Sequence, residues 1–240
     1  ISEYNPFEAI KTNILGTKNI IEASLRNNVK KVIGLSTDKA VNPINLYGST
    51  KLCGEKLLIS ANNIKGKRFT SFSVVRYGNV LNSKGSVYEY FKLLNSKKSE
   101  FFPITHPDMT RFFITINESI NFVIKAIETV KGGEIIIPRM NSIKITQLAK
   151  FISNEKKHKI IGIRPGEKIH EVLFSKDEAS KVLEFKNFFL IEPSILMQTK
   201  KNYLKIMGEK GKKTKFNEFN SSNNIKNWTK KEFINKYEDK

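Results

Sequence analysis

Residues 34 to 58 read GLSTDKAVNPINLYGSTKLCGEKLL and hold the side chains best suited to chemistry. Asp38 and Lys39, an acid and a base side by side, follow an apolar run, and Tyr47 and Lys51 come next, four residues apart. On a helix that spacing puts the phenol and the ammonium on one face. An ammonium close to a phenol favours the phenolate and lowers its pKa from about 10 toward the working pH. Tyr47 therefore reads as a general base for a hydroxyl group. Taken alone, Tyr-x-x-x-Lys is a frequent coincidence of exposed helices. Its place here, directly after an apolar strand and a polar Ser-Thr-Asp loop, makes it a candidate site.

The elements that must position these residues can be read from periodicity. Residues 5 to 28 repeat apolar side chains at helical spacing, place Pro6 in the first turn and end in an asparagine pair, which predicts one helix. KVIGLS, residues 31 to 36, is a short continuous apolar run, as expected of a parallel strand buried on both faces. A helix opens near Leu46, and residues 69 to 80 form a strand with its exit loop. A helix over 117 to 131, a strand over 132 to 138 and a helix over 145 to 154 continue the series. Helix and strand in alternation predict an α/β fold with a doubly wound parallel sheet, whose ligands bind at the carboxyl ends of the strands. Ser36, Thr37, Asp38 and Lys39 stand at such an end.

Composition narrows the function classes. A chain of 240 residues with 39% hydrophobic content is long enough to bury a core. The formal charge of +19 invites a nucleic-acid partner, but only six of the 42 basic residues are arginine while asparagine fills 24 positions. That is a lysine and asparagine bias without a recognisable binding module, and nucleic acid is set aside. The single cysteine, Cys53, allows no internal disulfide, fits a reducing cytoplasmic compartment and is expected to pack on its helix. No apolar run approaches the ~20 residues of a membrane span. His106, His158 and His170 make no metal-ligand spacing, so no metal is expected. The GEKGKKTK stretch, residues 208 to 215, reads as a solvated loop.

Tyr47-Gly48-Ser49-Thr50-Lys51 resembles the signature of the extended short-chain dehydrogenase/reductases, the nucleotide-sugar epimerases and dehydratases. NILGTKNIIEA (13 to 23) and VVRYGNVLNSKGSV (74 to 87) resemble the helix before the catalytic strand and a substrate- and cofactor-contacting loop of that group. STDKAVNPINLYGSTK together with RPGEKIHE (164 to 171) is similar to the inverting UDP-N-acetylglucosamine 4,6-dehydratases that open pseudaminic acid biosynthesis. Retaining hexose dehydratases carry Thr-Asp-Glu where this chain has Thr37-Asp38-Lys39, which implies a different base and the opposite outcome at C5. Larger membrane-anchored relatives carry methionine in place of Tyr47, so the resemblance is to the short soluble form.

The resemblance implies a role for each residue. Tyr47, assisted by Lys51, takes the C4 hydroxyl proton as hydride leaves C4. Lys39, as a neutral amine, removes the acidified C5 proton, and Asp38, held protonated, assists loss of the C6 hydroxyl. Thr37 hydrogen-bonds the C4 oxygen. Asn79, Val87, Thr105 and Arg164 correspond to substrate contacts, and Arg164 suits a diphosphate because a guanidinium forks onto phosphate oxygens. Val80, Leu81, Asn82, Ser83 and Lys84 correspond to cofactor contacts beside Tyr47 and Lys51. The implied cofactor is NADP, with NAD as the other candidate, and the implied partners are UDP-GlcNAc and further copies of the chain.

The expected organisation is the second half of a Rossmann domain over 1 to 80, with 113 to 140 returning to it. A substrate-binding region follows over 81 to 112 and 141 to 198, and then a lysine- and asparagine-rich tail over 199 to 240. No glycine-rich phosphate-binding turn follows a strand, so the first strands and that turn are expected upstream, and the isolated chain is expected neither to retain NADP nor to turn over. The alternatives are another nucleotide-sugar epimerase or retaining dehydratase, which Lys39 opposes, and a non-catalytic basic binding protein, which only the charge supports.

Overall fold

The computed structural model describes residues 2–193 and 202–237. The chain opens with α1 (Pro6–Ile10), whose proline stands where a helix has no use for an N–H. It passes through a π-turn (Lys11–Leu15) into α2 (Gly16–Arg26). The single helix expected over 5 to 28 is thus interrupted by one widened turn. The Thr17 hydroxyl bonds the Asn13 carbonyl at 2.7 Å, the kind of side-chain intrusion that distorts a helical ladder. Asn27 ends α2 and Asn28 follows in the left-handed region (φ 51°).

Next come β1 (Lys31–Thr37), α3 (Leu46–Ile64), β2 (Ser71–Tyr77), β3 (Asn79–Val80), α4 (Val87–Ser96), β4 (Phe101–Ile104), β5 (Thr110–Ile114) and α5 (Ile116–Thr129). β6 (Ile135–Pro138), β7 (Asn141–Lys144), α6 (Ile145–Ile152), β8 (Lys157–Ile160), β9 (Val172–Phe174), α7 (Lys176–Ala179), β10 (Val182–Glu184) and β11 (Phe188–Ile191) follow. The last elements are β12 (Lys205–Ile206), β13 (Glu209–Lys210), β14 (Lys212–Lys213), β15 (Phe219–Asn220) and α8 (Lys230–Tyr237).

The described residues fall into two compact units. One comprises Ile1–Tyr77, Asn121–Arg139 and Val172–Phe219, the other Gly78–Ile120, Met140–Glu171 and Asn220–Lys240. The first unit carries a sheet in the order β1-β2-β6-β11-β10-β14. β1, β2 and β6 are parallel, with Lys31 opposite Ser71 and Thr37 opposite Tyr77, and the remaining strands are antiparallel. α3 lies close on this sheet because Gly34 has no side chain: a Cβ there would meet Leu58 Cδ1 at 2.1 Å. The second unit holds the sheets β3-β5-β7 and β4-β8 and an aromatic core in which Phe91 packs on Phe102 at 5.0 Å.

Two expectations need correction. Among the described residues β1 is not buried on both faces, since Leu35 is 48% exposed, and it stands last in the sheet order. Residues 208 to 215, expected as a solvated loop, carry strand pairing, and the described part of the lysine- and asparagine-rich tail, 202 to 237, is folded. Tyr203 and Ile206 join the first unit's core, and Trp228, Phe233 and Tyr237 join the second's. The lysine-rich stretch is paired backbone with its side chains outward. β12 and β13 form a hairpin turning at Met207 and Gly208, both at positive φ, and β14 extends the main sheet. Among the described residues no helix is long and apolar enough to cross a membrane.

Candidate active site

The carboxyl end of β1 runs into a short 3-10 turn, Asp38–Ala40. Asp38 is fully buried. Its Oδ1 accepts from the Thr37 hydroxyl at 2.9 Å and from Lys39 Nζ at 3.0 Å. Its Oδ2 has no hydrogen-bond partner among the described residues, and neither does the buried Ser36 hydroxyl two residues earlier. Two buried oxygens without a partner stand together at one strand end, where interior polar atoms are normally paired, and this makes the end of β1 a candidate ligand site.

α3 brings the second half of the motif to this turn. Asn45 caps the helix by accepting the Gly48 N–H at 2.7 Å. Gly48 is required by contact: a Cβ there would lie 2.2 Å from the Lys39 carbonyl oxygen. The missing side chain lets the first turn of α3 rest on the backbone of Lys39 and sets the Tyr47 phenol, 38% exposed, beside Thr37, Asp38 and Lys39. Burial raises the pKa of Tyr47 and the Asp38 charge adds to it, while Lys39 and a hydrogen bond with Thr37 pull it down, with a net rise. The cation acting on the phenol is Lys39, whereas the sequence spacing had pointed to Lys51. Lys51 Nζ instead donates to the Leu35 carbonyl at 2.7 Å, and burial lowers its pKa against an opposing pull from Glu55.

Several neighbours were missed from sequence. Tyr77, opposite Thr37 across the β1–β2 ladder, has its pKa raised by burial and then by Tyr47. Asn13, in the π-turn, donates to Thr50 Oγ1 at 3.0 Å, and Thr50 donates to the Tyr47 carbonyl at 3.0 Å. That relay ties the irregular turn to the helix start, in keeping with π-turns gathering at functional places. Arg76, paired with Glu55 and Glu178, is a third. None has a periodic signal, since each acts through a residue distant in sequence. Cys53, expected to pack, is exposed.

The second unit holds the other expected residues. Asn79 and Val80 pair with Phe113 and Ile114. Leu81 is buried in the core, so only its backbone is available to a ligand. Asn82 takes a left-handed conformation (φ 60°) and Ser83 donates to the Val80 carbonyl at 2.8 Å, which makes 80 to 84 a tight turn with Lys84 exposed. Ser86 caps α4, and Val87 is its first residue. Thr105 is buried and bonds Met109 Sδ at 3.0 Å. Arg164 is exposed at the start of the RPGEKIHE loop. Arg111 fastens that loop by donating to the carbonyls of Ile169 at 3.0 Å and Lys168 at 2.9 Å.

A doubly wound sheet with a polar strand end facing a Tyr-x-x-x-Lys helix defines a Rossmann-type protein of the extended short-chain dehydrogenase/reductase class. Residues 1–193 match the family described as Polysaccharide biosynthesis protein, and the chain belongs to it. An inverting UDP-N-acetylglucosamine 4,6-dehydratase from Campylobacter jejuni is 50% identical over 95% of this chain and 69% of its own length. A UDP-glucose 4-epimerase from Rickettsia rickettsii is 37% identical over 93% of this chain and 66% of its own. The X-ray structure of Pen from Bacillus thuringiensis superposes with a TM-score of 0.83 at 36% identity, covering 98% of this chain and 69% of that one.

Proposed function

We propose that these residues form the catalytic part of an inverting, NADP-dependent UDP-GlcNAc 4,6-dehydratase. The observation that carries the reading is the Asp38–Lys39 pair, joined at 3.0 Å beside the Tyr47 phenol with Asp38 Oδ2 unpartnered. A nicotinamide fits the edge that presents the orphaned Ser36 hydroxyl and the Lys51 ammonium. A nicotinamide bound there would supply the hydride acceptor for C4 and the hydride donor for C6. Tyr47 takes the C4 hydroxyl proton, with Thr37 holding the same oxygen, and a 4-keto sugar results. The ketone acidifies the C5 proton.

Dehydration needs Lys39 as an amine and Asp38 as an acid. One proton passing from Lys39 Nζ to Asp38 Oδ1 along their hydrogen bond makes both at once. Lys39 then takes the C5 proton and Asp38 gives its proton to the departing C6 hydroxyl, which leaves as water. A proton drawn from solvent returns to C5 from the opposite face and completes the inversion. On this reading Asn79, Val87, Thr105 and Arg164 contact the UDP-sugar, with Arg164 on the diphosphate, and Val80 to Lys84 contact the cofactor. The protein acts in the cytoplasm as a homo-oligomer.

The test uses the chain extended to the length of its Campylobacter relative, incubated with UDP-GlcNAc and NADP in deuterated water and followed by NMR. Deuterium at an inverted C5 is expected. Lys39→Ala should still oxidise C4 but lose elimination by about 10²- to 10⁴-fold, the worth of a general base, whereas Tyr47→Phe should block oxidation itself. Wild-type C5 exchange in Lys39→Ala would remove the assignment. Simple C4 epimerisation would favour the epimerase reading that the Rickettsia relative suggests, and a product with retained C5 would favour a retaining dehydratase.

A further inference from the structure

The first unit buries a second charged cluster that the dehydration steps do not use. Arg76 is fully buried on β2. Its Nε and Nη2 grip the two oxygens of Glu55 at 2.9 and 2.7 Å. Its Nη1 and Nη2 reach both oxygens of Glu178 at 3.0 Å, and Nη1 also donates to the Leu173 carbonyl at 3.0 Å. Every N–H of the guanidinium therefore has an acceptor. Glu178 is itself held by the capping box of α7, where it accepts the Ser175 N–H at 3.1 Å. Burial would raise the pKa of Glu178, but Arg76 outweighs it and the net shift is downward.

One guanidinium between two carboxylates leaves one net negative charge, with Lys56 of α3 acting on the Glu178 end, and α3 carries the Glu55 end on the same face as Lys51. Tyr47, Lys51 and Glu55 follow one another at four-residue steps along one face of that helix. Of the elements packed on α3, β1 offers Lys51 only the Leu35 carbonyl. The 3-10 turn offers Asp38 and Lys39, which act on Tyr47, and the π-turn offers uncharged Asn13. Glu8 on α1 and Glu22 on α2 are each paired with a surface lysine, Lys11 and Lys18. β2 offers Arg76, already inside the cluster.

We propose that the Glu55–Arg76–Glu178 cluster is the buried counter-charge of Lys51, a positioning device that keeps its amine protonated and aimed at the β1 edge. Arg76 holds Glu55 in place without cancelling it, because Glu178 takes up part of the guanidinium. The opposing pulls of burial and Glu55 on Lys51 agree with this arrangement. The idea rests on the dehydratase reading for the use made of Lys51, but its test does not.

Competitive acylation of Lys51 across pH, read by peptide mass spectrometry on the intact chain, reports the midpoint of its titration without any turnover. Glu55→Gln and Glu178→Gln each remove one negative charge and leave Arg76 with a carboxylate partner. In both, Lys51 should titrate at lower pH, with about three- to tenfold more acylation at pH 8, a shift of half to one unit. Glu55→Asp, which keeps the charge, should restore most of the wild-type midpoint. A purely structural role would lower thermal stability and leave the midpoint where it was. An unchanged midpoint in folded Glu178→Gln, which lies at a partly exposed cap and tests the idea even if Glu55→Gln does not fold, would overturn the proposal. Absence of dehydratase activity in the extended protein would leave this titration untouched.

Discussion

Each unit is organised around one buried arginine, and the two arginines do different work. Arg76 bonds two carboxylates from separate helices and a single carbonyl, so it fastens charge to charge and fixes the face of α3 that carries Tyr47 and Lys51. Arg111 bonds mainly neutral carbonyls, those of Thr110, Lys168 and Ile169, with Glu167 and Glu171 at 3.5 and 3.7 Å. It fastens a loop outside helix and strand, in which the Glu167 N–H donates to the Arg164 carbonyl at 3.1 Å. A helix face can be held through its side chains, whereas an irregular loop has to be held through its backbone.

The comparison makes Arg76→Met the most damaging single change. It strands the buried carboxylate of Glu55, and losing one partner of a buried pair costs about 3–5 kcal/mol. Urea unfolding followed by circular dichroism measures it, and a loss below about 1 kcal/mol would mean that the carboxylates find water or each other. Arg111→Met should cost less, about 1–3 kcal/mol, because the close acceptors it loses are neutral carbonyls and the buried carboxylate beside it, Glu171, stands off at 3.7 Å. Its signature should be local: faster amide exchange over residues 164 to 171, with residues 31 to 64 protected as before.

Gly48→Ala sharpens the same contrast from the backbone side. The added methyl meets the Lys39 carbonyl, which cannot rotate away, so overpacking of about 1–3 kcal/mol is expected. The displaced phenol should also lose the influence of Lys39, and ultraviolet titration of Tyr47 would show its midpoint moving up. The smallest effect is in pH. Burial, before any charged neighbour, lowers the pKa of His170 in the Arg111-fastened loop, and burial then Lys150 does the same for His158. A depressed native pKa means that the unfolded chain binds the proton first. Stability from these groups is thus complete above about 6.5 and falls as pH drops below that value. His170→Gln should flatten that fall when thermal midpoints are measured between about pH 7 and 5; an unchanged slope would place the effect elsewhere.

What was legible from sequence is local. The spacing of Tyr47 and Lys51 is legible because a helix repeats on a scale of four residues, and Asp38–Lys39 because the pair is contiguous. The strand at KVIGLS was visible as an apolar run, but its exposure was not, since a run records what a strand tolerates and not who its neighbours are. The core role of Trp228, Phe233 and Tyr237 lay hidden under a lysine-rich composition, because long charged side chains can point outward from a backbone whose other face is buried.

The sequence by itself determined the alternation of helix and strand, the polar end of β1 and the reactive side chains placed there, all of which depend on bond geometry and short-range periodicity. Only the tertiary structure decided which cation faces which acid. It rested the first turn of α3 on the Lys39 backbone through the contact that Gly48 permits, so that the Lys39 charge lowers the Tyr47 pKa against burial, and it gathered Glu55 and Glu178 from distant segments around the Arg76 guanidinium. Coulomb energy depends on separation and burial in space, and neither is a property of position along the chain.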